Sequence, residues 1–296
     1  MKKEMKHGFK KLGVIVNTAK QNASSAVKEL LYAAKKYGMQ IFLEKSSADF
    51  LGEKNAIPFS KMLKVIDLLI SIGGDGTVLR VARELNGKNI PILGINIGGL
   101  GFLTSVSEKE IRKSLLNLSR GEYRLSHRSV LNIVHKNKNT GVIKNYRALN
   151  DAVIGRESAS RMLTLEVSVN RTVVTSYRCD GIIISTPTGS TGHSLSAGGP
   201  ILPPETDVFV LTLICPHTLS WRPLVISDCN EIIVKAVSNA PQRLTIDGQV
   251  GDVVAEGDEI FFTRSPKGVS FVHMPDYSYF DVLRRKLNWS VSNSRV

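Results

Sequence analysis

The sequence predicts an α/β domain followed by an all-β domain, and two observations lead to this prediction. In the first 125 residues strand patterns alternate with helix patterns, and several strands are unbroken apolar runs such as Leu68–Ile72. Unbroken apolar strands with helices between them are typical of a mostly parallel sheet covered on both faces. After about residue 125 nearly every pattern is a strand, as in a β-sandwich. We therefore expect an α/β domain over residues 1–125, a β-sandwich domain over 126–275, and a C-terminal helix and tail over 276–296.

The elements of the first domain follow from apolar periodicity and from helix start and stop signals. Gly38 and Gly87 each stand where a helical pattern ends, and Ser107 with Glu110 forms a capping box that opens a third helix. The predicted order is a strand at 11–18, a helix at 24–37, strands at 40–45 and 66–73, a helix at 77–86, a strand at 90–97 and a helix from 107 to 121.

The second half is divided into strands by turn signals such as Val169-Asn170-Arg171 and Asp247-Gly248. A final helical pattern follows the last strand. The predicted strands lie at 128–137, 142–156, 163–170, 172–186, 208–215, 231–237, 243–250, 258–264 and 269–274, and the helix at 279–288.

The composition favours a globular protein without a membrane anchor. Of its 296 residues, 42% are hydrophobic and 22% charged, which is typical of a chain with a real core. The longest strongly apolar run, Val208–Cys215, is far shorter than the roughly 20 residues of a membrane helix, and no signal-peptide pattern follows the basic N-terminus. The three cysteines are widely spaced and odd in number, which fits neither a disulfide framework nor a zinc site. We expect a reduced, cytoplasmic protein.

The net charge of +13 raises the question of nucleic-acid binding. Lysines and arginines are spread along the chain, aromatic residues make up only 6%, and no basic block is interleaved with aromatics. These observations argue against a nucleic-acid partner. Two interpretations stay open: a site for polyanionic small molecules such as nucleotides, or a general compositional bias.

A glycine-rich turn, Gly73-Gly74-Asp75-Gly76-Thr77, stands between an apolar strand and a helix. Glycines let the backbone approach an anion closely, and the N–H groups at the start of a helix attract phosphate. Neither the P-loop pattern nor the G-x-G-x-x-G fingerprint is present. A carboxylate in such a turn either holds a metal ion or handles a proton, both of which suit phosphoryl transfer, or it only shapes the turn.

Two further stretches have the same character. Residues 96–103, NIGGLGFL, follow the next strand and are expected to line the same edge of the sheet. Phe102 in this stretch either packs in the core or forms the wall of an aromatic pocket. Residues 180–200 contain a strand followed by a run of hydroxyl-bearing residues and glycines. Such hydroxyls can bind a base and ribose without needing charge.

Together these stretches resemble bacterial NAD kinases, ATP-dependent enzymes that phosphorylate NAD to NADP. GGDGT alone also has relatives in lipid kinases and phosphofructokinases, whereas GGDGT with STPTGST in this order and spacing is far more specific. The resemblance covers nearly the whole chain. Its motifs are GGDGT at 73–77, INIGGLGFL at 95–103, LND at 149–151, RCDGIIISTPTGST at 178–191, SAGGPILPP at 196–204, ICPHTLSWRPLVI at 214–226 and IDGQ at 246–249.

The resemblance implies roles for individual residues. Asp75 matches the family's proton acceptor for the 2′-hydroxyl of the adenosine ribose. Asn150-Asp151 matches an Asn-Glu pair and is one methylene shorter, and His193 stands where a family tyrosine stacks on adenine. The NAD-binding residues implied are Asp75, Gly76, Asn150, Asp151, Arg161, Arg178, Asp180, Thr191, Gly192, His193, Ser194, Leu195, Ser196 and Gln249. We further expect Gly73, Gly74, Gly76 and Thr77 to bind phosphate, and Phe102 and Thr188 to form pocket walls.

The resemblance also implies a Rossmann-like first domain, a β-sandwich second domain and a C-terminal helix that returns to the first domain. ATP and NAD are the implied substrates, and a homodimer or homotetramer is the implied assembly. We expect the ligand cleft between the two domains. No cluster of His, Asp or Glu has metal-ligand spacing, so the divalent ion, Mg²⁺, is expected to arrive with ATP.

Two alternatives remain at this level. A diacylglycerol- or sphingosine-like lipid kinase would share GGDGT and a β-sandwich domain but would need an apolar acceptor pocket, which the hydroxyl-rich 185–196 loop does not suggest. A non-catalytic nucleotide-sensing protein of the same fold is disfavoured only by the presence of Asp75.

Overall fold

The computed structural model describes residues 8–53, 56–99, 101–157, 161–218 and 221–289. The chain forms two compact units, the first made of residues 1–127 and 269–296 and the second of residues 128–268. The basic start of the chain, the last part of the predicted tail, and parts of the INIGGLGFL and ICPHTLSWRPLVI motifs lie outside the described residues. Within the described part of the chain, no helix is both long and apolar enough to cross a membrane.

Among the described residues up to 128, the chain forms seven strands and five α-helices. The strands are β1 (Lys11–Val16), β2 (Gln40–Glu44), β3 (Ala56–Ile57), β4 (Leu68–Gly73), β5 (Ile92–Asn96), β6 (Val106–Ser107) and β7 (Arg124–Arg128). The helices are α1 (Ala23–Lys36), α2 (Lys45–Leu51), α3 (Phe59–Met62), α4 (Asp75–Leu85) and α5 (Ile111–Ser119).

The described residues after 128 form mainly strands, with two short helical segments and a helix after the last strand. The strands are β8 (Leu131–Lys136), β9 (Ile143–Ala148), β10 (Asp151–Arg156), β11 (Leu163–Val169), β12 (Thr172–Cys179), β13 (Gly181–Ser185), β14 (Val208–Ile214), β15 (Leu224–Ser227), β16 (Ile232–Ala236), β17 (Gln242–Ile246), β18 (Val250–Val254), β19 (Glu259–Arg264) and β20 (Val269–His273). The helices are a 3₁₀ turn (Thr188–Thr191), α6 (His193–Ser196) and α7 (Tyr279–Lys286).

The first unit is built on one sheet with the order β3-β2-β1-β4-β5-β20-β7, in which β6 pairs with β5. The strands β1 to β5 pair in parallel, and every residue of β4 and of β5 is buried. Because β1, β4 and β5 are neighbours, their carboxyl ends meet at one edge of the sheet. Ligands of open α/β sheets bind at this edge, and the GGDGT turn follows β4 there.

The compact second unit ends at residue 268, whereas the second domain was predicted to run to residue 275. The strand β20 pairs in parallel with β5 of the first unit, with Phe271 opposite Ile92. The sequence pattern at 269–274 is that of a buried strand, and strand patterns do not reveal which sheet a strand joins. The helix α7 follows β20 in the first unit.

The second unit consists of two six-stranded sheets with the orders β15-β14-β13-β10-β17-β18 and β12-β11-β16-β19-β8-β9. Apolar residues of both sheets form a single core, so the predicted β-sandwich is confirmed. Two of the predicted long strands, 142–156 and 172–186, are each two strands that lie in different sheets. The chain changes sheet at Leu149-Asn150 and at Asp180, which fall within motifs of the resemblance.

Several local expectations are confirmed. The capping box of Ser107 and Glu110 is present, although it opens a 3₁₀ turn that continues into α5. Asn170, Arg171, Asp247 and Gly248 all have positive φ, as the hairpin turns at these positions require. The helix α4 begins at Asp75, two residues earlier than predicted.

Candidate active site

The turn between β4 and α4 presents an open backbone. Gly74 is the N-cap of α4, with extended dihedral angles of φ −136° and ψ −172°. A Cβ atom at Gly74 would meet no other group within 4 Å, and Gly76 is exposed. The first N–H groups of a helix carry a partial positive charge, so this part of the turn can receive an anion.

The other two residues of the predicted phosphate site face inward. Thr77 is buried, and its N–H donates to the carbonyl of Gly74 at 3.0 Å. A Cβ atom at Gly73 would overlap Oγ1 of Thr77, so Gly73 is needed for close packing. Gly73 and Thr77 therefore build the turn, while Gly74 and Gly76 form its open side.

The carboxylate of Asp75 joins the two glycine-rich turns. It accepts hydrogen bonds from the N–H of Phe102 at 2.8 Å and from the N–H of Leu103 at 3.0 Å. Gly101 makes this possible, because a Cβ atom there would overlap Oδ1 of Asp75. Both carboxylate oxygens are thus oriented by backbone donors. The structure gives Asp75 a role in holding the second turn that the sequence did not predict.

Two residues after β1 also belong to this edge of the sheet, and the sequence analysis missed both. The side-chain amide of Asn17 donates to Oγ1 of Thr77 at 3.5 Å. The ammonium group of Lys20 lies 3.8 Å from where a Cβ atom of Gly98 would be. Their position directly after a strand of a parallel sheet was the available signal.

Phe102 is partly buried. The ammonium group of Lys286 in α7 lies 5.8 Å from the centre of its ring. This distance is within the range of a cation–π contact. Its role as a pocket wall stays a prediction.

In the second unit, the LND segment (residues 149–151) packs against the start of the hydroxyl-rich loop. The hydroxyl of Thr186 donates to the carbonyl of Leu149 at 2.6 Å, and the N–H of Thr186 donates to the carbonyl of Asn150 at 2.8 Å. Gly189 lies so close that a Cβ atom there would overlap the carbonyl group of Asn150. The two motifs therefore form one rigid structure.

Several hydroxyls of this loop make hydrogen bonds within the protein. Ser190 and Thr191 donate to the carbonyls of Pro187 and Thr188. Ser194 is fully buried and shares a hydrogen bond of 3.0 Å with Thr212. Local hydroxyl-to-carbonyl bonds of this kind are common in turns, and the sequence pattern cannot tell them from ligand contacts.

Two buried polar atoms beside this structure have no hydrogen-bond partner among the described residues. They are Oδ1 of Asn150 and Oγ1 of Thr188. A buried polar atom without a partner is costly, so it calls for an explanation such as a ligand or water. Both atoms belong to residues that were predicted to bind the dinucleotide or to form its pocket wall.

Comparison with known proteins identifies the family. The N-terminal domain of ATP-NAD kinase matches residues 12–123, and the C-terminal domain of ATP-NAD kinase matches residues 149–274. The NAD kinase of Syntrophotalea carbinolica is 37% identical over 289 residues, which cover 95% of this chain and 99% of that one. The NAD kinase of Gemmatimonas aurantiaca is 44% identical over 78% of this chain and 80% of its own. The chain belongs to the NAD kinase family.

Solved structures agree with this assignment. The crystal structure of an NAD kinase from Archaeoglobus fulgidus in complex with ATP has a TM-score of 0.75 at 26% identity, covering 94% of this chain and 98% of that one. The yeast NADH kinase complexed with NADH has a TM-score of 0.88 at 23% identity, covering 98% and 90%. The latter likeness shows a shared fold. The predicted fold class and the predicted NAD kinase function are confirmed.

Two residues at which the chain departs from the NAD kinase pattern are in contact. Nδ1 of His193 lies 3.0 Å from Oδ1 and 3.2 Å from Oδ2 of Asp151. The Asp151 carboxylate is 1% exposed, whereas the His193 side chain is 55% exposed. The hydrogen bond with Asp151 raises the pKa of His193. The histidine thus covers a buried carboxylate and presents its other nitrogen outward.

The remaining residues implied by the NAD kinase resemblance differ in how far they are accessible. Arg161, Arg178, Ser196 and Gln249 are exposed. Asp180 is held by Arg156, whose Nη2 lies 3.1 Å from Oδ2 of Asp180, and this partner was not predicted. Thr191, Gly192 and Leu195 are half-buried. Their contacts with NAD stay predictions.

Within the described residues, no group of three His, Cys, Asp or Glu could hold a metal ion. Both oxygens of Asp75 are engaged by backbone N–H groups, and Lys20 lies beside Gly98 of the second glycine-rich turn. This donor set fits a metal ion bound through the phosphates of a nucleotide better than one held by protein ligands alone.

Proposed function

We propose that the protein transfers the γ-phosphoryl group of ATP to the 2′-hydroxyl of the adenosine ribose of NAD, with Asp75 as proton acceptor. The observation that carries this proposal is the carboxylate of Asp75, fixed by two backbone N–H groups beside an open helix N-terminus. A base that is already oriented can receive a hydroxyl proton without a search for the reactive geometry.

The phosphates of ATP bind at the open side of the turn after β4. Gly74 and Gly76 give the close backbone approach, the start of α4 supplies the positive end of its dipole, and Lys20 supplies a cation. Support comes from the ATP complex of the Archaeoglobus fulgidus relative. Mg²⁺ enters with ATP as part of the substrate and neutralises charge on the phosphates.

The adenosine of NAD binds at the loops of the second unit. Asn150 and Thr188 each offer a buried polar atom that has no partner among the described residues. His193 offers an exposed imidazole whose position is fixed by Asp151. The oriented carboxylate of Asp75 then receives the proton of the 2′-hydroxyl as the phosphoryl group is transferred in line.

The substitution Gly74→Ala is expected to separate ATP binding from folding. The backbone of Gly74 is extended, and a Cβ atom there would meet nothing within 4 Å. The melting temperature should therefore fall by only a few degrees, because alanine is a weaker N-cap than glycine. The added methyl group would stand where phosphate approaches, and KM for ATP should rise about tenfold or more. Steady-state kinetics at saturating NAD measures this effect. An unchanged KM for ATP would place the phosphates elsewhere.

The substitution His193→Ala is expected to weaken NAD binding by about 1–3 kcal/mol if the imidazole stacks on adenine. The pair of His193 and Asp151 also makes the stability of the fold depend on pH. Because the pKa of His193 is raised, the stabilisation from this pair is fully present below about pH 6.5 and is lost as the pH rises through the raised value. Calorimetric titration of NAD measures the affinity. Equal dissociation constants in both proteins would show that the ring does not touch NAD.

Replacement of His193 by tyrosine would affect Asp151 as well as the contact with adenine. A tyrosine at 193 would restore the ring of the family pattern, yet it offers no nitrogen to the carboxylate of Asp151, which is 1% exposed. A buried carboxylate that loses its donor costs free energy. We therefore expect His193→Tyr to recover stacking only in part.

A panel of acceptors tests the proposed function against its rivals. The protein is incubated with γ-labelled ATP, Mg²⁺ and one of NAD, NADH, diacylglycerol or sphingosine, and the labelled product is identified. We expect label in NADP when NAD is the acceptor and none in either lipid. Label in a lipid would favour the lipid-kinase alternative, and no transfer to any acceptor would favour a nucleotide-sensing protein.

We also propose a cytoplasmic location, for which the three free cysteines are the support. A homodimer or homotetramer is proposed from the resemblance, and light scattering of the purified protein would test it.

A further inference from the structure

The hairpin turn between β17 and β18 carries a buried carboxylate that none of the predicted roles uses. Asp247 is 6% exposed and has a positive φ of 49°, followed by Gly248 with a φ of 65°. Such a turn directs the side chain of its first residue back over the preceding strands. The resemblance implies a role for Gln249 of the same motif and none for Asp247.

The carboxylate of Asp247 binds three consecutive backbone N–H groups. Oδ2 accepts from the N–H of Leu149 at 3.0 Å, and Oδ1 accepts from those of Asn150 at 2.8 Å and Asp151 at 3.2 Å. The N–H of Asp247 in turn donates to the carbonyl of Asp151 at 2.9 Å. Asp247 thus satisfies every backbone donor of the LND segment.

Two carbonyls of the same segment, those of Leu149 and Asn150, are held by the hydroxyl-rich loop. Thr186 binds the carbonyls of Leu149 and Asn150, as described above. The N–H groups of the segment are bound by Asp247, and two of its carbonyls are bound by Thr186. These hydrogen bonds fix its backbone conformation. This conformation directs Asp151 to His193 and leaves Oδ1 of Asn150 without a partner among the described residues.

We propose that Asp247 is a positioning residue for NAD binding, which acts by fixing the backbone that carries Asn150 and Asp151. The proposal rests on the proposed function, because it assigns NAD to these two side chains. Asp247 itself does not touch the substrate. Its loss is expected to affect NAD binding and to leave ATP binding unchanged.

The charge of Asp247 gives the proposal a pH signature. Burial raises the pKa of Asp247, the three N–H groups lower it and the nearby Asp151 carboxylate raises it, and the net result is a pKa of about 6. The titratable groups that face it are Asp151 and His193. A protonated carboxyl is a weaker acceptor for N–H groups, so KM for NAD should rise as the pH falls through 6.

The titration of Asp247 affects the stability of the fold in the opposite direction from NAD binding. Because the folded pKa lies above the ordinary value of about 4, the contribution of this group to stability is fully present below pH 4 and is lost as the pH rises through 6. Acidification from pH 7 to 5 should therefore weaken NAD binding, while the protonation of Asp247 does not destabilise the fold. General acid unfolding would change both quantities in the same direction.

The test compares Asp247→Asn with Asp258→Asn. Asp258 is a matched control in the same unit: it is fully buried and accepts from the N–H groups of Ala255 and Lys138 at 2.9 Å each, and it contacts no residue of the LND segment. We expect Asp247→Asn to raise KM for NAD at least tenfold, with kcat changed less than threefold and KM for ATP unchanged. The control should lower the melting temperature and leave KM for NAD unchanged.

A second measurement covers the case in which Asp247→Asn does not fold. KM for NAD of the wild type and of His193→Asn is measured from pH 5 to 8, so that the histidine titration can be separated from that of Asp247. A rise below pH 6 in both proteins supports the proposal. A flat profile in His193→Asn, or a wild-type KM for NAD in Asp247→Asn, overturns it. If the wild type forms no NADP at all, the proposed function has failed instead.

Discussion

The substitution Asp75→Asn is expected to lower kcat by about two to four orders of magnitude, the range that general-base catalysis typically contributes. Asparagine has no charge to accept the proton and retains one acceptor oxygen for the two N–H groups of Phe102 and Leu103. Its NH₂ group would face the other N–H. The loss therefore combines proton transfer with orientation. Initial rates of NADP formation at saturating ATP and NAD measure the effect.

Two controls make this result interpretable. Asp49→Asn removes an exposed carboxylate from α2 of the same unit and should leave kcat unchanged. Calorimetric titration of NAD into Asp75→Asn should give a dissociation constant within a few fold of wild type. The contacts proposed for the adenosine of NAD, with Asn150, Thr188 and His193, do not involve the side chain of Asp75. Near-normal turnover in Asp75→Asn would falsify the assignment of Asp75 as proton acceptor.

The substitution Gly189→Ala is expected to damage both folding and NAD binding. A Cβ atom at this position would overlap the carbonyl group of Asn150 and lie 2.6 Å from its Cα atom. These are backbone atoms held by Asp247 and Thr186, so they cannot move without breaking hydrogen bonds. Overpacking of this kind costs about 1–3 kcal/mol or more. We expect a melting temperature several degrees lower and KM for NAD raised at least tenfold.

Gly192→Ala is the matched control three residues away. A Cβ atom there would lie 3.3 Å from the carbonyl oxygen of Gly189 and 3.4 Å from Oδ2 of Asp151, which small shifts relieve. Thermal unfolding and NAD kinetics of both variants measure the difference. Equal effects of the two substitutions would mean that the contact between Gly189 and Asn150 is not what fixes the site.

The sequence predicted elements whose signals are local. The apolar run of β4, the capping box at Ser107 and the positive φ at Asp247 each depend on neighbouring residues, and all are present in the structure. The start of α4 was misplaced because its N-cap is Gly74, which carries no capping side chain. The 142–156 pattern predicts one strand because both of its halves have strand character. Only the packing of two sheets shows that the chain changes sheet within it.

Contacts between distant residues could not be predicted in the same way. The N–H donors of Asp75 lie 27 and 28 residues further along the chain, and those of Asp247 lie 96 to 98 residues before it. In the candidate site, the sequence therefore indicated which segments matter but not which side chains hold them. His193 shows this most clearly: the resemblance suggested stacking, and only the structure shows its hydrogen bond to Asp151.

The central claim is that the phosphoryl group of ATP is transferred to the 2′-hydroxyl of the adenosine ribose of NAD. The direct measurement is phosphorus NMR of the purified product formed from ATP, Mg²⁺ and NAD, together with its use by an NADP-specific dehydrogenase. The account predicts one new phosphomonoester on the 2′ position and full activity as NADP. A phosphate on any other hydroxyl, or ATP hydrolysis with NAD unchanged, would contradict it.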